Sequence, residues 1–260
     1  MSQLFQLSQY GRLVLEGNKA VDLLHGQCSA EVRKMNPGQH IFTSINNIKG
    51  RTLATFLLWC DRADRFYLET LKDNLPTLQT ILAKYSPLYR CQVLEDESLG
   101  YLALNPENKP HNPVRYQHGW LRFWQEQALP AEPLTQSWLA CDLKRGWIFL
   151  SAAQSEQYIP LWLGLDLTDG ISFTKGCYTG QEVIARLHYR GKAKQRPTLA
   201  EGPSSTIEHL QQPELGQLIA YDLASSPACA LWLQRAEQQG QTPKGWQIIN
   251  FQDSEKPHDG

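Results

Sequence analysis

The stretch "ISFTKGCYTGQEVIARLHYRG", Ile171 to Gly191, sets one cysteine, Cys177, in a glycine-flanked loop just ahead of a helix-like run. Three roles suit a cysteine so placed: a nucleophile, a metal or cluster ligand, or a small buried residue at a tight turn. Thr179 to Glu182 spells T-x-x-E, in which the threonine hydroxyl caps the amide of Glu182 and the glutamate reaches back to the amide of Thr179. Val183, Ile184 and Leu187 then supply an apolar face, and Gly191 stands where a glycine cap belongs, so the pattern predicts a helix of about three turns. Cys177 falls two residues before that start, near the positive end of the helix dipole and beside Lys175, and both effects favour thiolate over thiol. Gly176 and Gly180 let the backbone turn sharply or approach a ligand without interference from a Cβ.

Downstream, Arg186, His188, Arg190, Lys192, Lys194 and Arg196 make a basic stripe with no acid among them. It reads either as a solvated helix face running into a linker or as a seat for an anion, such as a polyglutamate tail or an RNA phosphate; the absence of acid partners favours the seat. A Cys–His hydrolase would need a base beside the thiol. His188 lies eleven residues on, at the far end of the same helix, and a three-turn helix holds its ends about 15 Å apart. His25, in "LLHGQ", is not placed by the sequence.

The elements that must position these residues are readable in outline. At 260 residues, with 42% hydrophobic and 20% charged residues, the chain suits one large or two to three small globular domains. Lys plus Arg number 25 against 26 Asp plus Glu, a formal net charge of -1, so no global field draws nucleic acid or a membrane, and any anion site is local. No stretch reads as a signal peptide or membrane span, which leaves a cytoplasmic location as the default expectation. Six cysteines are widely scattered with no CxxC pair, which predicts reduced, mostly buried thiols and argues against a closed structural zinc site.

"GRLVLEG" reads as a strand, "NKAVDLLHGQ" as a helix with Asn18 as N-cap, and "QHIFTSIN" with "TLATFLLWC" as a hairpin closed by "NIKG". The strand-like "RFYLETL" is followed by "NLPTLQTILAKY", a helix with Asn74 as N-cap and Pro76 in its first turn. "YRCQVLED", "YLALN", "WLRFW" and "WLACDL" are strand candidates, interrupted by the breaker-rich "PENKPHNP". Beyond Ala193, "GQLIAYDL", "CALWLQR" and "WQIINF" are short strands with little helix between them. The predicted organisation is an N-terminal α+β subdomain over 1–95, a second over 96–192 carrying Cys177, a small C-terminal β-barrel over 193–252, and a polar tail over 253–260.

"KGCYTGQE", with "GISF" before it and an ARxxxRG pattern after it, closely resembles the signature of the YgfZ family, folate-binding relatives of the glycine cleavage T-protein aminomethyltransferase. "LLHGQCSAEV" is similar to that family's LQGQxTxDV segment, and "NNIKGRTLATFLLW" to its DxKGR strand pair. The resemblance runs from about Gly11 to Gly191 and is weak in the middle and the C-terminal part. It implies an α+β fold of ferredoxin-like subdomains around a central folate-binding opening, followed by a β-barrel, with tetrahydrofolate as ligand. It also implies a role in maintaining iron-sulfur enzymes and thereby in tRNA methylthiolation.

On the resemblance, Cys177 is the chemical residue, and Tyr10, Trp138, Lys175, Gly176, Tyr178, Gln181, Glu182, Arg186 and Arg190 are the ligand-binding set. Tyr10, sixteen residues before Gly26, stands at the family's pterin-pocket tryptophan, and Trp138 matches a second one. Where the family segment reads Glu-Ala-Gly, this chain has Lys144-Arg145-Gly146, a donor where the relatives offer a carboxylate to the pterin, and Asp142 is the alternative acceptor. Cys177 could protect or transfer a cluster or form a mixed disulfide. An aminomethyltransferase is a weaker reading, since Leu53 and Ala54 stand where that chemistry wants acids. A folate or RNA binder without chemistry is a third.

Overall fold

Along Thr52–Arg62 the side chains alternate between two apolar environments: Phe56, Leu58 and Cys60 pack with one group of buried residues, Leu57 and Trp59 with another. A strand with both faces buried must lie between two layers, and in the computed structural model, which describes residues 3–106, 110, 113–116, 119–133, 138–191, 194–203 and 206–251, it does. In chain order the strands are β1 Leu4–Gln6, β2 Tyr10–Glu16, β3 His40–Asn46, β4 Thr52–Arg62, β5 Arg65–Leu71, β6 Gln92–Asp96, β7 Leu99–Leu104, β8 Val114–Arg115, β9 Trp120–Gln125, β10 Glu132–Pro133, β11 Gln195–Gly202, β12 Gln217–Asp222, β13 Ala228–Arg235 and β14 Gln247–Ile249. The helices are α1 Ala20–Gln27, α2 Leu75–Tyr85, α3 Leu139–Lys144, α4 Gln181–Tyr189 and α5 Ile207–Leu210.

The first sheet is antiparallel with order β3-β4-β5-β2-β6. Its outer face packs under α1 and α2: Leu13, Leu15, Phe56 and Leu68 meet Leu23, Leu24, Leu78 and Leu82 in one core. Lys19, not the expected Asn18, is the N-cap of α1; Asn74 is the N-cap of α2 as expected, with Pro76 in the first turn, while its side-chain N–H goes to the Leu150 carbonyl at 3.0 Å.

The second sheet, β10-β1-β7-β9-β8, takes its second strand from the extreme N-terminal part of the described chain. The segment 1–95 is therefore not self-contained: β1 pairs with β7 and β10, while β2 begins the first sheet. A large core of aromatic and aliphatic side chains fills the space facing the inner side of the first sheet, including Tyr10, Phe42, Trp59, Trp147 and Phe149. "WLACDL", expected as a strand, is helical: the Trp138 carbonyl accepts N–H bonds from Cys141 at 3.0 Å and Asp142 at 3.3 Å. This turns Asp142 inward.

Among the described residues the C-terminal strands form an antiparallel sheet, β12-β13-β11-β14, and closure into the expected small β-barrel is not seen. The inner face is instead covered by α5 and nearby turns, with Trp232 fully buried and its Nε1–H on the Leu210 carbonyl at 2.8 Å. The "PENKPHNP" loop falls in part, and the 253–260 tail entirely, outside the described residues.

Candidate functional site

The hairpin between β3 and β4 seats the Cys177 loop. The Asn47 carboxamide oxygen accepts the N–H groups of Lys49 and Arg51 at 2.9 and 3.0 Å, and Gly50 takes φ 71°, which together make the tight reversal. The start of α4 lies directly on this turn. A Cβ at Gly180, whose φ is 83°, would stand 2.5 Å from the Asn47 carbonyl oxygen, so glycine is required both for conformation and for contact. Gly180 is accordingly the N-cap of α4, and the expected Thr179/Glu182 capping box does not form. Thr179 instead donates its hydroxyl to Gln27 at 3.2 Å and its N–H to the Gly26 carbonyl at 3.2 Å.

Lys175 anchors the same loop from within. Its ammonium donates to the carbonyls of His25, Cys28 and Ala30 at 2.7, 2.8 and 2.7 Å, satisfying all three N–H groups at the C-terminal end of α1. Burial pulls its pKa down to about 8, while three carbonyl acceptors favour the charged form. The expected partnership with Cys177 is replaced by this structural one: the charge faces α1. Ser172 N–H to the Ser29 carbonyl at 2.9 Å adds a further tie.

Cys177 itself is exposed, and all five other cysteines are buried or partly buried. Burial pushes the thiols of Cys28, Cys141 and Cys229 up to about 12, and those of Cys60 and Cys91 upward as well. Cys177 opens into a groove of about 430 Å³ with Lys19, Asp22, His25, Arg33 and Tyr89 among its lining. The buried-turn reading of this cysteine is thereby overturned. Tyr178 turns the other way, into the core, with its hydroxyl unpartnered among the described residues and held protonated by burial.

The remaining expected ligand residues do not gather at this groove. Glu182, Arg186 and Arg190 are exposed along α4, and Gln181 is half-buried at its first turn. The basic stripe is thinner than its sequence: Arg196 pairs with Asp166 at 2.7 Å, His188 stacks on Phe173 at 3.7 Å between centroids, and Lys192 lies outside the described residues.

Tyr10 and Trp138 line a different region, between the first two sheets. Tyr10 and Tyr116 donate their hydroxyls to the two oxygens of Asp142 at 2.8 and 2.7 Å, and burial, with Asp142 beside them, holds both phenols protonated. Arg122 bridges Asp142, at 3.0 Å, and Glu69, whose second oxygen accepts Trp124 Nε1–H at 2.8 Å. Although burial opposes its charge, Glu69 and Asp142 hold the Arg122 guanidinium firmly protonated. Its carbon lies 4.1 Å from the Tyr10 ring centroid, across the ring face. Trp138 is half-buried, edge-on to Trp120 at 5.0 Å. Lys144 points away and pairs with Glu201 on β11 at 2.7 Å.

Arg122 and Glu69 were legible as signals that the sequence reading passed over: each is a charge next to large apolar residues of a strand, in "WLRFW" and "RFYLETL". Set against tetrahydrofolate, the cluster matches a pterin in chemistry, with a flat ring and carboxylates able to accept a guanidine-like N–H edge. It does not match in space, because Arg122 already holds both carboxylates and the Tyr10 face. Beside it runs an apolar groove of about 430 Å³ lined by Tyr10, Leu139, Leu143, Phe149 and Ile219.

No known protein-family profile matches the chain. An uncharacterized protein of Haemophilus influenzae is 28% identical over 232 residues, which span 87% of this chain and 81% of that relative. The glycine cleavage system aminomethyltransferase T from Bartonella henselae superposes with a TM-score of 0.64 over 90% of this chain and 78% of that chain, at 14% identity. The chain therefore has the fold of an aminomethyltransferase T, a mixed α/β architecture of antiparallel sheets with few helices.

Proposed function

We propose that this protein is a YgfZ-type accessory factor that helps maintain iron-sulfur enzymes and so supports tRNA methylthiolation, with Cys177 as its working residue. The observation that carries the reading is the presentation of Cys177: the single exposed cysteine stands at a groove, on a loop fixed by Lys175 and by the Gly180–Asn47 contact. A merely structural cysteine gains nothing from such exposure. The aminomethyltransferase T fold agrees with the family resemblance of "KGCYTGQE". Tetrahydrofolate is the ligand this reading implies, and with Arg122 in place the opening left for it is the apolar groove beside Tyr10. An aminomethyltransferase activity lacks support in β4, where Ala54 is buried and no acid stands beside it.

The test is complementation of tRNA methylthiolation in a strain lacking its own factor, comparing wild type with Cys177→Ala. Wild type should restore the modification and the variant should not; full restoration by Cys177→Ala would remove the cysteine from the reading. In parallel, tetrahydrofolate should change the tryptophan fluorescence of the wild type saturably, and less in Trp138→Ala. A flat wild-type titration would separate folate from the function.

A further inference from the structure

His25 is buried against the Cys177 groove with no hydrogen bond holding its ring among the described residues. It is 5% exposed, and neither ring nitrogen has a hydrogen-bond partner among the described residues, an arrangement that normally costs stability. Nδ1 lies 3.2 Å from Glu31 Oε1, an ion-pair distance without hydrogen-bond alignment. Nε2 faces the space beside Gly176. A Cβ built on Gly176 would stand 3.6 Å from Nε2 and within 4 Å of no other non-neighbouring atom. The residue before Cys177 thus leaves room for a ligand atom next to an imidazole nitrogen.

The charged groups around the ring are Lys175 from the Cys177 loop, Asp22 on α1, and Glu31 and Arg33 in the segment after α1. Burial, reinforced by Lys175, lowers the His25 pKa. At neutral pH the ring is uncharged and free to accept a proton, with Glu31 placed to favour hydrogen on Nδ1 and leave Nε2 as the acceptor.

We propose that His25 is the proton relay of Cys177, and that the groove is a site of thiol–disulfide exchange with the disulfide of an aliphatic thiol. The proposal rests on the reading of Cys177 as the working residue. In the first step the Cys177 thiol gives its proton to Nε2. The thiolate attacks the nearer sulfur of the substrate; a new S–S bond forms to Cys177 as the substrate's S–S bond breaks, and the imidazolium returns the proton to the departing thiolate. The products are a mixed disulfide on Cys177 and one free thiol, and the substrate disulfide is the oxidant. No second exposed cysteine is available to resolve the mixed disulfide, so it persists until an external thiol reverses it. Exchange asks only for a thiolate, a proton carrier and an open line of approach, which the groove supplies.

The test uses the full chain and two probes. Hydroxyethyl disulfide releases a basic aliphatic thiolate that benefits from a proton, whereas a nitrobenzoate disulfide releases an aromatic thiolate that needs none. Mass spectrometry should find the adduct on Cys177 in wild type and none in Cys177→Ala. His25→Gln should slow exchange with hydroxyethyl disulfide at least about tenfold at neutral pH, and with the aromatic disulfide distinctly less. Glu31→Gln should move both rates in the same sense by a smaller factor, which keeps the test open if His25→Gln folds poorly. Equal rates for wild type and His25→Gln, or equal losses with both probes, would overturn the relay. Complementation separates the two readings: restoration by Cys177→Ala breaks the functional reading, while the exchange rates judge the relay by themselves.

Discussion

Around Arg122 a buried cation is matched on nearly every side: two carboxylates, two phenols and an indole N–H close on one another, and only Nε of the guanidinium is left over. Around Cys177 the matched group is Lys175, which fixes the loop from beneath, while the groove above keeps an exposed thiol and an imidazole with no hydrogen bond among the described residues. The first arrangement satisfies its charges internally and locks the two sheets together. The second leaves polar groups unsatisfied at a surface that solutes can reach. Buried networks that are complete specify structure, and incomplete ones at an opening point to ligands.

Arg122→Met breaks this contrast most severely. It strands Glu69 and Asp142 without a cation, and we expect a loss of about 3–5 kcal/mol in urea unfolding at neutral pH. A loss under about 1 kcal/mol would mean that the carboxylates find other partners.

Lys175→Met should cost about 2–4 kcal/mol, because three carbonyls at the end of α1 lose a charged donor. The same change should loosen the Cys177 loop, seen as faster amide exchange over residues 171–180. Unchanged exchange there would show that Gly180 and Thr179 suffice to hold it.

Acidification separates the regions more gently. Burial takes the His40 pKa down to about 4, beside Trp59 and Trp147, whereas an unfolded histidine takes its proton near ~6.5. Between these values the unfolded chain binds more protons than the folded one, so stability falls as pH drops from about 6.5 towards 4, by about 1–3 kcal/mol. His40→Phe should flatten that limb and leave stability above about pH 7 unchanged; an unaltered limb would assign the acid sensitivity to another group.

Cys177→Ser, at the other extreme, should change stability by less than about 0.5 kcal/mol, since its side chain is exposed. A larger loss would return Cys177 to a structural role and weaken the contrast from the groove side.

The strands of the first 96 residues were legible because most are short apolar runs bounded by turn or helix residues, β3 and β4 being buried almost throughout. "WLACDL" was not legible. Its apolar run fits strand or helix equally, and the choice fell to the packing that brings Asp142 under Tyr10 and Tyr116. The T-x-x-E of Thr179–Glu182 misled for a related reason: a local capping pattern yielded to tertiary partners, Gln27 for the hydroxyl and Asn47 for the turn. In the same way the stripe from Arg186 to Arg196 looked uniformly basic until Asp166 reached Arg196 from another segment.

The sequence by itself determined that a helix begins just after Cys177, that glycines flank the thiol, and that the chain carries no global charge for a polyanion, because these depend on neighbours along the chain or on composition. Only the tertiary structure decided what each charge meets. It sent Lys175 to the end of α1 and away from the thiol, set Arg122 across Tyr10, and brought His25 to the Cys177 groove from about 150 positions away in the chain, a separation no local spacing rule can bridge. Contacts at that range are fixed by which faces of sheet and helix must be buried together, and that choice is made by the whole chain at once.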